Sequence, residues 1–352
     1  MNPSPANIRH RFGSPLKRLL LLLLLGAIGA EIALRLLTPP TTFLFPYDAA
    51  YWKTQLRQQL AARGADRLLP DDLIHDPALG WRMKPDFHAD GIHHDADGHR
   101  RTPTHPTDAA FEIVLLGDSF TYGLGVGDDE TFGARLAEAT GATVVNAAVT
   151  AHGIDQSLLV WKEQARQRQP RFVVLGYAVD KFFTNPLPVR NLPKPWFSVE
   201  DTSLRLQGVP VPPPERLETS GRLAHPFSPR LIEAIRWLHR KIGAKLGWGD
   251  DFEPQAQLSD ALLGSLNDAV TANGGTLITM FIGHCFDGER DNLVAERAIM
   301  ASCERRGLRC INMAEAMRGD QFQDYYGDNC HWSARGHRFA AAKLLEVMRG
   351  DD

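Results

Sequence analysis

The sequence predicts an α/β fold with a doubly wound parallel sheet. Two observations carry this. From residue 111 onward, short apolar runs without apolar/polar alternation read as strands covered on both faces. These runs alternate with amphipathic segments of helical period, the pattern of right-handed crossover units. No internal repeat interrupts the alternation.

In chain order, Phe111–Leu116 is the first strand, ended by Gly117, with a glycine-containing loop and a helix near Glu130–Thr140 behind it. Thr143–Ala148 is the second strand and is followed by a helix near Gln156–Gln167. Arg171–Tyr177 is the third. Thr276–Ile282 and Leu308–Asn312 are the fourth and fifth, separated by a helix around Leu293–Arg306. The last helix covers Ala334–Met348. Between Pro186 and Pro254 the alternation stops. Trp196–Glu200 and Ser203–Gln207 read as a hairpin, Pro212–Pro214 as a turn, and Pro229–Leu246 as a helix. An insertion at the loop side of such a sheet is placed to shape a substrate groove.

The 352 residues carry 39 Lys+Arg against 42 Asp+Glu, a formal charge of −3, which argues against a nucleic-acid partner. A hydrophobic content of 43% is ordinary for a globular chain. The densest apolar run, however, lies at the start. Behind Arg9, Arg11, Lys17 and Arg18, residues Leu19–Leu37 are broken only by Glu31 and Arg35. As a helix this run is about 28 Å long, the thickness of a bilayer core. Cations before the run favour a cytoplasmic amino end (residues 1–18) and an exported remainder. The uncharged part, Leu19–Ala30, also has signal-peptide length, with small residues that suit cleavage. Continuation of the pattern to Leu37 favours an uncleaved anchor. The expected domains are therefore the anchor at 19–37, a lead segment at 38–108 and a catalytic domain at 109–350 with its insertion at about 186–254.

Residues 38–70 read as a linker and a short polar helix, and 71–108 as irregular structure with short strands. Six histidines fall in the latter: His75, His88, His93, His94, His99 and His105. No helical H-x-x-x-H accompanies them, so they read as solvated loop residues rather than a metal site. In an oxidising compartment the four cysteines fit either two bridges or four buried thiols. The bridged arrangement expected is Cys303–Cys310 with Cys285–Cys330.

Two motifs carry chemistry. Gly117-Asp118-Ser119 closes the first strand, where a serine faces the crevice beyond the strand ends and its N–H can meet a developing oxyanion. Asp328-Asn329-Cys330-His331 follows the fifth strand. A serine hydroxyl needs an imidazole to take its proton, and the imidazole needs a carboxylate to fix its tautomer. Together these motifs resemble the GDSL/SGNH hydrolase family over about residues 111–349. Leu79-Gly80-Trp81 and Asp97-Gly98-His99-Arg100 add a resemblance to the amino-terminal region of its membrane-anchored members.

The resemblance implies a flavodoxin-like five-stranded sheet, with Ser119 as nucleophile, His331 as base then acid, and Asp328 as its partner. It implies Gly153 N–H as a second oxyanion donor beside Ser119 N–H. The family's third block usually supplies an Asn, but Val179 stands there, and Asn185 is the nearby substitute. Asp118 is expected to anchor the serine turn, Asp180 to organise its own loop, and His337 to pack or cap. Asp324 is a fallback carboxylate and His152 a surface residue. The expected function is extracytoplasmic removal of small acyl groups, acetyl above all, from carbohydrate without a metal or organic cofactor. An O-acetyltransferase, a lipid esterase and a non-catalytic carbohydrate-binding or assembly protein are the alternatives. Oligomeric state is not readable.

Overall fold

The computed structural model describes residues 15–103, 109–164, 167–201, 203–223, 228–246, 252–283, 290–319, 322–327 and 330–350. The chain divides into two units. One comprises the described residues of Met1–Phe45 and His225–Asp250, the other those of Pro46–Ala224 and Asp251–Asp352.

The larger unit is built on five parallel strands: β1 (Glu112–Leu116), β2 (Thr143–Asn146), β3 (Phe172–Ala178), β4 (Thr276–Ile282) and β5 (Arg309–Asn312). Their order across the sheet is β5-β4-β3-β1-β2, with every pairing parallel. This is the flavodoxin-like winding, which reverses direction between β1 and β3 and opens a crevice beyond their carboxyl ends. Successive residues of β1 feed opposite layers. Ile113 and Leu115 pack with Phe132 and Leu136 of α4 (Phe132–Thr140) and with Ala340 and Leu344 of α11 (Ala334–Arg349). Val114 and Leu116 pack with α5 (Ile154–Gln164), α8 (Glu253–Ala272) and α9 (Arg290–Arg306). Both faces are covered, which is why the strands carry apolar residues at consecutive positions.

The expected strands all form, with ends shifted by one or two residues. The sequence reading did not include α8. Its Pro254 occupies the first turn, where a missing N–H costs nothing, and Leu258, Leu262, Leu266 and Val270 recur at helical spacing on the core side. The Cys303–Cys310 bridge joins α9 to β5. Cys330 is also disulfide-bonded, and its expected partner Cys285 lies outside the described residues.

The lead segment is more ordered than its composition suggests. It contains α2 (Ala49–Arg63) and a ribbon of Leu73–Asp76 against Gly80–Met83. Together with Val149, Val189 and Leu192 it forms a third apolar cluster, centred on Leu56 and Trp81. Its histidines are not all solvated. His94 and His99 are buried, and His94 bridges the Lys84 carbonyl and the Tyr122 hydroxyl, each at 2.7 Å. A polar, turn-rich composition hid these satisfied core positions. His105 lies outside the described residues.

His337 packs, as expected. It is fully buried on α11, stacked on Phe132, and its Nδ1 accepts from Phe132 N–H at 3.2 Å. Burial pushes it down to about 3, and burial does the same to His152. Both are neutral in the fold. In the unfolded chain they titrate near 6.5, so that state takes up protons first as pH falls. Stability is therefore complete above about pH 6.5 and lost progressively towards about pH 3. Thermal melts between neutral pH and about pH 4 should show a falling Tm, and His337→Gln should fall less steeply. Equal slopes in the two proteins would contradict a neutral, buried His337.

Candidate active site

Ser119 begins α3 (Ser119–Tyr122), one turn of helix directly after β1. The turn is feasible because Gly117 holds φ at +141°, and a Cβ there would lie 2.7 Å from the Gly176 carbonyl of β3. Asp118 caps the turn by accepting from Phe120 N–H at 3.0 Å. Its other oxygen meets Lys181 Nζ at 3.1 Å, both side chains being buried. Asp118 thus has the anchoring role expected of it, with a lysine partner that sequence did not reveal. Lys181 belongs to α6 (Val179–Thr184) and also pairs with Asp180, which in turn pairs with Arg190. Burial is the largest single influence on Asp180 and raises it, but Arg190 and Lys181 together outweigh it and hold the carboxyl well below the usual range. Asp180 does organise its loop.

His331 comes from the far end of the chain. Its Nε2 lies 2.7 Å from Ser119 Oγ, across 212 residues of sequence. The turn that carries it is tight: Gly327 N–H donates to the His331 carbonyl at 2.7 Å, Cys330 adopts φ +62°, and Tyr326 pairs with Trp332. The imidazole also rests against Phe120, ring centres 5.0 Å apart, and Trp332 behind it is buried. Asp328 lies outside the described residues. The fallback, Asp324, is engaged elsewhere, accepting from Arg335 Nη1 at 2.6 Å.

Ser119 and His331 open into a cavity of about 460 Å³, walled also by Trp81, Ala151, Arg190 and Leu192. The loop after β2 reaches this cavity through Thr150 and Ala151, not through Gly153. Gly153 is buried and its N–H donates to Gln156 Oε1 at 3.2 Å, so the expected oxyanion donor is occupied within the fold. Ala151 instead holds the left-handed backbone, φ +66°. Among the described residues, neither Ser119 N–H nor Ala151 N–H has an acceptor. Asn185 is displaced as well. It is buried, with Nδ2 donating to the Tyr177 hydroxyl at 3.2 Å, and it does not line the cavity. Val179 packs into the core beside Phe182.

His152 is not a surface residue. It is 1% exposed, and its Nε2 donates to the Trp81 carbonyl at 2.9 Å. Trp81 Nε1 donates to the Thr150 carbonyl at 2.9 Å, and Gln156 Nε2 to the Leu79 carbonyl at 2.7 Å. Leu79-Gly80-Trp81 therefore latches the loop that carries Ala151. Arg100 does the same for the loop after α3, donating to the carbonyls of Gly123 and Val126 and to Asp128 Oδ1. Neither role was legible beforehand, since a Trp or Arg in an irregular segment carries no spacing signal. For a metal, Asp95, Asp97 and His99 place ligand atoms within 4.8 Å of one another. These atoms already serve the turn: Asp95 Oδ1 accepts from Asp97 and His99 N–H, and His99 Nε2 accepts from Gln164.

A strand-end serine against an imidazole, at the switch point of a 2-1-3-4-5 sheet, defines a serine hydrolase of ester bonds. The chain belongs to the GDSL-like lipase/acylhydrolase family, whose model matches residues 115–339. Solved structures similar to this chain include TesA, with 13% identity, covering 68% of this chain and 98% of that one, TM-score 0.43. A G-D-S-L family lipolytic protein from Veillonella parvula shows 13% identity, 68% and 98% coverage, and TM-score 0.40. An acetyl xylan esterase variant from Geobacillus stearothermophilus shows 13% identity, 68% and 94% coverage, and TM-score 0.40. No curated protein matches the sequence.

Replacing Lys181 by Met should leave the buried Asp118 carboxylate unpaired and cost about 3–5 kcal/mol in a denaturant melt. Adding Asp118→Asn, which keeps the capping oxygen, should recover part of that loss. An unaltered melt for Lys181→Met alone would show that the pair does not hold the serine turn.

Proposed function

We propose that the protein is an esterase that removes small acyl groups, acetyl foremost, from carbohydrate outside the cytoplasm. The observation that carries the catalytic reading is the 2.7 Å contact between His331 Nε2 and Ser119 Oγ. In that arrangement the imidazole takes the hydroxyl proton as Oγ attacks the ester carbonyl, then returns it to the departing alcohol. Water, activated by the same imidazole, hydrolyses the acyl-enzyme. Asp328 is assigned the role of holding His331 in the productive tautomer. The N–H groups of Ser119 and Ala151 are assigned the oxyanion, with Ala151 taking the place first given to Gly153.

Carbohydrate is favoured by the wall of the cavity. Gln59, Arg63, Arg190 and Asn191 line it beside Leu68 and Trp81, a mixture of donors and an aromatic surface suited to a sugar face. Arg190 is oriented by Asp180, and its buried Nε has no partner among the described residues. The extracytoplasmic location rests on α1 (Pro15–Leu37), 23 residues with a mean hydropathy of 2.2 in its most apolar window. A helix of this kind serves as an anchor or as a signal sequence, and its continuous run favours the anchor.

A fluorophosphonate probe should label the wild-type chain and fail to label Ser119→Ala. Asp328→Asn should lower kcat for p-nitrophenyl acetate far more than it changes KM, because tautomer control acts in the transition state. Equal labelling of folded wild type and Ser119→Ala would remove the mechanism. NMR detection of acetate released from, or passed between, acetylated polysaccharides separates hydrolysis from transfer.

A further inference from the structure

The insertion does not serve the cavity alone. Arg190, Asn191 and Leu192 supply part of its wall, but α7 (Arg230–Leu246) belongs to the same unit as α1 and the segment from Thr38 to Phe45. The start of α7 is tied to the carboxyl end of α1. Glu31 Oε2 accepts from Leu231 N–H at 2.9 Å, and Arg230 donates to Thr38 Oγ1 and to the carbonyls of Pro39 and Pro40. From there α7 follows the segment after α1. Trp237 meets Phe43 edge-on at 6.1 Å, and Arg240 lies over the Phe45 ring at 4.7 Å.

Glu233, Trp237 and Arg240 recur at helical spacing on the face towards that segment. Another face carries Ile232, Ile235, Leu238 and Ile242, exposed by 43%, 59%, 52% and 43%. Exposed cations, Arg236 and Lys241, flank this stripe on either side. Among the described residues of the unit, nothing covers it. Four large aliphatic side chains in line are a patch that water disfavours.

We infer that α7 is an in-plane membrane helix, its isoleucine and leucine stripe buried in the lipid–water interface beside α1. Three observations single out a bilayer as the occupant. The stripe shares its unit with α1, which is apolar and largely exposed along its length. Its start is bonded to the end of α1 where Glu31 and Arg35 pair, the level at which an apolar span gives way to the polar boundary. Phe43, Phe45 and Trp237 gather with arginines there, as aromatic side chains do at the edge of a membrane. Arg236, His239, Arg240 and Lys241 prevent α7 from crossing, whereas a cationic amphipathic helix lies flat. The inference rests on the anchor reading of α1 and is independent of the esterase assignment.

The test uses the full chain in vesicles of phosphatidylethanolamine and phosphatidylglycerol. Nitroxide labels are placed singly through Ile235→Cys, Leu238→Cys and Arg236→Cys, with Leu23→Cys reporting on α1. Labels at 235 and 238 should collide with oxygen several-fold more than with a water-soluble nickel complex, and the label at 236 should show the reverse. Positions 235 and 238 open to nickel, or closed to both quenchers, would overturn the inference in favour of water or a protein partner. Failure of the Leu23 label to enter lipid would refute the anchor separately, because 235 and 238 still report their own location.

Discussion

A hydroxyl held 2.7 Å from an imidazole that lies 212 residues away sets the tolerance for the rest of the larger unit. Proton transfer in such a pair is lost when the atoms drift by an ångström. Each partner sits on a loop beyond a strand end, and loops do not hold themselves to that precision. The turn of Ser119 is fixed from below by the approach of Gly117 to Gly176, and from the side by the Asp118–Lys181 pair. The turn of His331 is fixed by the backbone closure between Gly327 and His331 and by Trp332, which packs against both Phe120 and Phe132. Trp332 thereby ties the histidine turn to the residue next to the nucleophile.

The lead segment explains how the remaining loops are held. A flavodoxin-like sheet leaves the connections after β1 and β2 projecting from the carboxyl edge, and here residues 79–100 run past both. Arg100 is buried and spends its donors on two carbonyls of the first loop and on Asp128. Its backbone N–H also meets the Asn146 carbonyl at the end of β2, at 3.1 Å. Trp81 and Leu79 hold the second loop through Thr150, His152 and Gln156. The bonds from Trp81 and Arg100 to loop carbonyls constrain loop shape whatever side chains the loop carries, whereas those from His152 and Gln156 depend on these two residues themselves.

Strand positions and the Ser/His pair were legible in the sequence for a common reason. Both depend on local patterns, an apolar run in one case and a serine after strand-end glycine in the other. Failures came where a residue's role depends on distant partners or on backbone conformation. In the loop after β2 the family resemblance pointed to Gly153 as the residue whose N–H faces the cavity. The chain instead places Ala151 there, and Gly153 is required for space: a Cβ would meet Asp155 Oδ1 at 2.3 Å and Asn185 Oδ1 at 2.4 Å. Pro254 was taken as the end of an irregular stretch, although a proline in a helix's first turn signals a beginning equally well. His94, His99 and His152 look solvated by composition and are bonded in the interior.

Val179 is the clearest departure from the family pattern, and its surroundings bear on how the site compensates. Its side chain contributes to the apolar cluster with Phe182, Phe183 and Tyr177, so the position has been given to packing. Asn185, the residue that ends α6, is held by Tyr177 and cannot replace the missing donor without breaking a buried bond. Polar capacity at this edge of the cavity rests instead with Arg190, which Asp180 orients from α6. A guanidinium fixed by a carboxylate offers its remaining N–H donors in a restrained geometry. An apolar chain placed against Arg190 would strip water from the cation without returning a hydrogen bond.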